Sequence, residues 1–370
     1  MRATRAEVDL GAVKANVAAL ASAVAPAAVC AVVKADGYGH GAIAVSHAAL
    51  DAGATWLAVA LVEEGAVLRK NGITAPILLL SQPRPADIDA AIRFDLRIAV
   101  YTRAGLDAVA AAATARGTTA RVHLKVNTGM NRVGAEPVDL VALAEAAATL
   151  DSIEVEAVWT HCAVADEPGN PFTDEQLDRF DGVVGRLAEL ELRPPLTHTA
   201  NSAVALDHPR GRLDLVRVGV AVYGIAPSPA LRDRVALTPA MSLKSEVSFV
   251  KCVPAGVGVS YGLRHTFDRP TTVATVPIGY ADGVPRRLSL VGGEVLIGGR
   301  RCPIVGVVTM DQLMVDCGPD ADVAVGDDVV LLGRQGAEVI TAEDWAEAID
   351  TIAYEIVCGI GPRVPRVYPG

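Results

Sequence analysis

The chain has 370 residues and is 51% apolar, enough to fill one large core and a smaller second one. Its formal net charge of −10 and the lack of any Lys/Arg-rich run exclude a nucleic-acid or anionic-membrane surface, since those partners need concentrated positive charge. The six cysteines, Cys30, Cys162, Cys252, Cys302, Cys317 and Cys358, form no C-x-x-C pair and have no zinc-like histidine spacing, so reduced structural thiols and no metal are expected.

In chain order, Asp9 is placed to cap a first helix. Residues 14–34 are apolar for nearly the length of a membrane span, but Asn16, Ser22 and Pro26 interrupt them and alanine dominates, so no transmembrane helix is expected. Glu7 and Asp9 stand where a signal peptide would carry positive charge, so the segment reads as mature, cytoplasmic protein. Eight near-continuous apolar runs follow, at 29–33, 56–61, 77–81, 97–101, 121–126, 155–161, 196–199 and 215–223. They alternate with helix-period stretches, among them the Ala-rich 106–115 and a helix toward Leu192 that Thr173 can cap. Strands buried on both faces read in this way, and eight of them predict an α/β fold, an eight-stranded parallel β/α (TIM-type) barrel over residues 1–238. The first few residues are candidates for the second domain. From about Pro239 the texture changes to Val-rich short segments broken by Gly and Pro, such as 253–259, 294–308 and 323–332, which predicts a mostly β C-terminal domain over 239–370.

Reactive residues of a β/α barrel gather at the carboxyl ends of its strands. The first run ends in Lys34, followed by the glycine-rich Ala-Asp-Gly-Tyr-Gly-His-Gly, a loop type that can bring backbone N–H groups to an anion. A lysine at a barrel mouth beside such a loop is a Schiff-base candidate. Taken alone it is more often a surface lysine, His161 alone a satisfied core histidine, and Arg217 alone a rim salt bridge. The fifth run ends in Lys125-Val-Asn-Thr-Gly-Met-Asn-Arg132, the sixth in Thr160-His161, the seventh in His198-Thr-Ala-Asn201-Ser202, and the eighth carries Arg217-Val-Gly219-Val220. Cationic and hydrogen-bonding groups therefore converge on one mouth, as a site for an anionic ligand requires.

With these residues in view, the chain resembles the alanine racemase family over essentially its whole length. Ala-Val-Val-Lys34-Ala-Asp-Gly-Tyr38-Gly-His-Gly is similar to the family's cofactor-lysine signature, and residues 125–134 to its Lys-x-Asp-Thr-Gly-Met-x-Arg segment. Val259-Ser-Tyr261-Gly, Pro277-Ile-Gly-Tyr280-Ala-Asp-Gly and Met310-Asp311-Gln312 resemble its second-domain motifs. The resemblance implies a racemase using pyridoxal 5'-phosphate, with Lys34 holding the cofactor and acting as base on the D-isomer's face and Tyr261 acting as base on the L-isomer's face. Arg217 would face the pyridine nitrogen and leave it unprotonated, and His161 would link Arg217 to Tyr261. Tyr38, Ser202 and the backbone of Gly219 and Val220, with Asn201 beside them, would hold the phosphate. Arg132 and Met310 would bind the substrate carboxylate, Tyr280 and Asp311 would adjoin the substrate, and Lys125 corresponds to a lysine often carbamylated in the family. A head-to-tail homodimer is implied, in which Tyr261, Tyr280 and Met310 of one subunit complete the mouth of the other.

Three positions depart from the commonest family pattern. Asn127 replaces an acid, Val307 stands where many members carry an arginine near the substrate channel, and Pro362 stands where some carry a phosphate-binding tyrosine. The departures keep open a serine or broad-specificity racemase on the same fold. A non-catalytic cofactor-binding protein would lack the second domain, and a decarboxylase of this architecture would place an acid where Arg217 stands.

Overall fold

Each of the eight apolar runs forms a strand: Ala28–Val32, Trp56–Val59, Ile77–Leu79, Leu96–Val100, Ala120–Lys125, Ile153–Trp159, Leu196–His198 and Leu215–Val218. The last run ends as a strand at Val218, and Val220–Tyr223 turns into a short 3-10 helix. The first seven pair in parallel in chain order, and the eighth lies parallel against the first with Ala28 opposite Leu215. No ladder joins the seventh to the eighth. There the barrel closes through the Arg217 N–H to Ala200 O (3.0 Å) and the Asp214 N–H to Thr197 O (3.2 Å). The strands are buried inside and out, with helices on the outer face, which is why they lack polar alternation.

The computed structural model describes residues 3–369. Residues 11–37 and 41–239 make up the barrel unit, while the chain up to Leu10, residues 38–40 and residues from Ala240 onward make up a second unit. Among the barrel helices, Arg103–Arg116 starts where Thr102 Oγ1 accepts the Gly105 N–H at 3.0 Å and stops at Gly117, which adopts φ 62°. The helix Phe172–Glu189 corrects an expectation. Thr173 does not cap it: Thr173 lies inside the first turn with its hydroxyl buried and unpaired, Pro171 takes the boundary, and Asn170 Oδ1 accepts the Phe172 N–H at 3.1 Å.

In the second unit, strands Phe249–Val253, Thr271–Val276, Leu313–Gly318, Arg300–Val305, Glu294–Ile297, Asp328–Gln335, Met241–Glu246, Arg5–Val8 and Arg366–Val367 follow one another across one sheet. The N-terminal strand Arg5–Val8 runs antiparallel to Met241–Glu246, with Ala6 opposite Leu243. A small core of Val253, Val259, Phe267, Val273 and Val305 lies at one end. Two helices, Ala342–Ile349 and Ala353–Gly359, were not expected from the Val-rich texture. The first has a readable signal in a capping box, where Thr341 Oγ1 accepts the Asp344 N–H (3.0 Å) and Asp344 accepts the Thr341 N–H (2.7 Å).

Candidate active site

Lys34 leaves the first barrel strand into a turn of unusual hand. Ala35, Asp36 and Gly37 have φ 52°, 51° and 61° with ψ 47–50°, a left-handed helical turn in which only one residue is glycine. Each non-glycine residue there costs about 1–2 kcal/mol. The cost is offset by a dense set of hydrogen bonds. The Ala35 N–H donates to Glu64 Oε1 (2.6 Å), the Gly37 N–H to Val33 O (2.9 Å), the Gly41 N–H to Asp36 O (2.8 Å) and the Ala42 N–H to Asp36 Oδ1 (2.8 Å). Glu64 also accepts the Ala60 and Leu61 N–H groups at 2.8 and 3.1 Å, so one carboxylate ties the lysine turn to the start of the helix Val62–Lys70.

Arg217, on the eighth strand, is buried with every acceptor around it neutral. Its Nη2 donates to Thr160 O (2.9 Å) and Thr199 O (3.1 Å) and lies 3.3 Å from His161 Nδ1, while Nη1 lies 2.7 Å from His198 Nδ1. From His198 a chain runs on into the barrel: Nε2 to His123 Nδ1 (3.0 Å), then His123 Nε2 to Glu156 Oε2 (3.0 Å). Glu156 faces inward because the sixth strand is bulged against the fifth: Val122 pairs with Val155 and His123 with Ala157, leaving Glu156 the extra residue. Bulges re-aim side chains in this way. Burial, then the Arg217 charge, holds His161 and His198 well below the ordinary histidine range; burial lowers His123 too, against the opposing pull of Glu156. Burial works against the charged form of Glu156, but the His123 bond and the nearby Arg97 and Arg121 hold its carboxyl below the usual range. Burial lowers Arg217 itself to about 10, still charged at neutral pH.

Lys125 Nζ sits 4.2 Å from the centre of the Trp159 ring, and the Arg217 guanidinium 4.6 Å from the same ring. Burial, with Arg217, Arg132 and Lys34 nearby, lowers the Lys125 ammonium to about 7. No carboxylate lies within ion-pair distance of Lys34, Lys125, Arg132 or Arg217 among the described residues. The loop from Lys125 to Arg132 is organised by Asn127, whose Oδ1 accepts the Gly129 and Asn131 N–H groups (3.2 and 3.0 Å) and whose Nδ2 donates to Asn131 Oδ1 (2.8 Å) and Glu136 Oε1 (2.7 Å). Gln176, absent from the sequence reading, pins the same side by donating to Thr128 Oγ1 and His161 O (both 3.2 Å) and accepting the Ala163 N–H (2.8 Å).

Ser202 and Gly219 meet across the seventh and eighth strand ends, with the Gly219 N–H donating to Ser202 Oγ at 2.9 Å and Val220 opening the turn beyond. Asn201 is engaged as a cap: its Oδ1 accepts the Val204 N–H (3.0 Å) and its Nδ2 reaches Cys162 O (3.5 Å).

The other expected residues belong to the second unit. Tyr38 is buried with its ring 6.2 Å from that of Tyr354, and burial, with Tyr354 and Cys358 nearby, pushes its phenol up. Tyr261 stands on a hairpin tip between Gly258–Val259 and His265–Thr266. The Tyr280 and Met310 loops are joined by the Tyr280 N–H to Thr309 O and the Ala281 N–H to Met310 O, both 3.0 Å. Arg363 bridges them, 2.7 Å from Asp311 and 3.3 Å from Asp282.

Two family models cover most of the chain: the alanine racemase N-terminal domain over residues 8–227 and the alanine racemase C-terminal domain over residues 240–368. The chain belongs to the alanine racemase family. The alanine racemase of Symbiobacterium thermophilum is 51% identical over 370 residues, covering 100% of this chain and 98% of that relative. The crystal structure of alanine racemase from D-cycloserine-producing Streptomyces lavendulae superposes with a TM-score of 0.94 at 45% identity, covering 100% of this chain and 98% of that one. A histidine racemase from Leuconostoc mesenteroides superposes at 0.91 with 30% identity, covering 100% and 99%.

Within the family pattern, the three departures take definite places. Asn127 is more than a neutral exchange, because an acid there would lose two donors and face the Glu136 carboxylate. Val307 is buried, and Pro362 is exposed in a turn beside Arg363.

Proposed function

We propose that this chain interconverts L-alanine and D-alanine with pyridoxal 5'-phosphate, as a cytoplasmic head-to-tail homodimer with two composite sites. The observation that carries the reading is the uncompensated cluster of Lys34, Lys125, Arg132 and Arg217 at the barrel mouth, which fits a ligand bearing a phosphate and a substrate bearing a carboxylate. The cofactor, when bound, supplies the conjugated electron sink that stabilises the electron pair left on the substrate α-carbon.

The chain's own groups do the rest. Lys34 holds the cofactor and moves the α-proton on the D-isomer's face, and Tyr261 moves it on the L-isomer's face. Inversion needs two groups, because a proton taken from one side must be returned from the other, and each group must come within hydrogen-bond reach of that carbon. Arg217 would meet the ring nitrogen as a fixed donor. Its guanidinium, a far weaker acid than a pyridinium, would hydrogen-bond that nitrogen without protonating it, which would disfavour transamination. His161, accepting from Arg217 through Nδ1, carries its proton on Nε2 and offers that N–H to the Tyr261 oxygen. Tyr38, Ser202, Gly219 and Val220 hold the phosphate, with Asn201 fixing the Ser202 turn. Arg132 and the Met310 backbone hold the substrate carboxylate, Tyr280 and Asp311 border it, and a carbamylated Lys125 would supply the anion that orients Arg132.

The dimer reading draws support from the exposed face of the second unit, where Tyr261, Tyr280 and Met310 are 75%, 44% and 52% exposed. Large apolar side chains displayed together suit a protein interface. The cytoplasmic reading is supported by six free cysteines, Cys302 and Cys317 remaining unbridged although they adjoin.

The histidine racemase of the same fold makes substrate range the test. Purified, cofactor-loaded protein given L-alanine, L-serine and L-histidine is expected to racemise alanine with a kcat/KM at least about tenfold above serine. Equal rates on all three would replace the alanine reading with a broad-specificity one, and no racemisation of any would remove it.

A further inference from the structure

Tyr261 is largely exposed on a five-residue hairpin tip, yet a proton-transfer group must be held to a fraction of an ångström. Its immediate neighbour, Ser260, has φ 64° and ψ −176°, a conformation essentially reserved for glycine. Gly262 and Leu263 beyond it also have positive φ, 74° and 48°. A strained non-glycine residue persists only where its surroundings over-determine it. Those surroundings are visible. Ser260 Oγ accepts the Val307 N–H and donates to Val307 O, both at 3.2 Å, so one hydroxyl closes a two-bond clamp on a single residue of another loop. The loops approach so closely that a Cβ on Gly306 would lie 2.3 Å from Ser260 Cβ. Val259 and Val305, two residues before Val307, are fixed in the same small core, so the clamp ties the tip to the rigid part of the unit.

We infer that Ser260 is a positioning residue for Tyr261: its hydroxyl, clamped to the Val307 backbone, holds the strained tip that aims the phenol. The inference rests on the reading of Tyr261 as the base for L-alanine, and its test separates the two. An alanine at 260 removes only the hydroxyl and keeps the strain; a glycine removes the hydroxymethyl group and relieves the strain.

The test measures racemisation of α-protonated and α-deuterated L- and D-alanine by cofactor-loaded wild type, Ser260→Gly, Ser260→Ala and Tyr261→Phe. Loosening Tyr261 makes its proton transfer more rate-limiting, so turnover should fall about tenfold or more. The deuterium effect on L-alanine should rise in both Ser260 variants while that on D-alanine falls. Isotope effects do not depend on how much of a preparation is active, so mere loss of stability leaves them unchanged. Wild-type isotope effects in both Ser260 variants, with Tyr261→Phe inactive, would overturn the inference and leave the base assignment standing. A fully active Tyr261→Phe would remove the base assignment and the inference with it.

Discussion

Arg217 Nη1 donates to His198 Nδ1 at 2.7 Å, and that contact sets the protonation of two buried histidines. An arginine can only donate, so His198 Nδ1 accepts and its proton sits on Nε2. His198 then donates to His123 Nδ1, and His123 donates through Nε2 to Glu156, which can only accept when ionised. The order admits one arrangement of protons, and it agrees with the lowered proton affinity of both rings. The negative charge that answers Arg217 therefore lies two imidazoles away.

Replacing His198 with leucine should strand one buried donor, Arg217 Nη1, and one buried acceptor, His123 Nδ1. The expected loss is about 2–6 kcal/mol, taking each orphaned group at roughly 1–3 kcal/mol. A urea midpoint unchanged in His198→Leu would show that the chain does not hold the barrel interior.

The same histidines set a pH dependence. His123, His161 and His198 have folded pKa values below the unfolded value of about 6.5. Below that pH the unfolded chain binds protons that the folded chain refuses, so stability falls as pH drops from about 6.5, by up to about 1.4 kcal/mol per pH unit for each group. Denaturant midpoints at pH 7.5 and pH 5.5 check this, and flat stability across that window would contradict it.

Asn127→Asp puts a carboxylate against Glu136 and removes two donated hydrogen bonds. Because Arg132 ends this loop, KM for alanine should rise about fivefold, corresponding to roughly 1 kcal/mol, with little change in kcat. A change confined to kcat would mean that the loop serves the chemistry rather than the carboxylate.

The eight strands were legible because each is buried on both faces, and the mouth residues because polar groups ending apolar runs stand out. His123 and Glu156 were not. They lie inside strands, and the inward direction of Glu156 depends on a bulge that no single strand reveals. The left-handed turn after Lys34 is hidden behind a glycine-rich sequence, since Ala35 and Asp36 give no local sign of φ near 50°. The strain at Ser260 is hidden for the same reason. Thr173 looked like a cap by residue type, but Asn170 and Pro171 precede it and take that role.

Lys125, lowered to about 7, carries a substantial neutral fraction at physiological pH, and a neutral amine adds carbon dioxide. Protein equilibrated with 13C-bicarbonate should show a carbamate carbon signal that is absent from Lys125→Ala. The same spectrum from both proteins would show that the lysine stays unmodified.

The most direct test of the two-base account is exchange in heavy water. Cofactor-loaded protein incubated with L-alanine should place deuterium on the α-carbon of the D-alanine formed, and Lys34→Ala and Tyr261→Phe should each abolish racemisation. Undiminished racemisation by either variant would contradict the account, because inversion would then proceed without one of the two groups assigned to opposite faces.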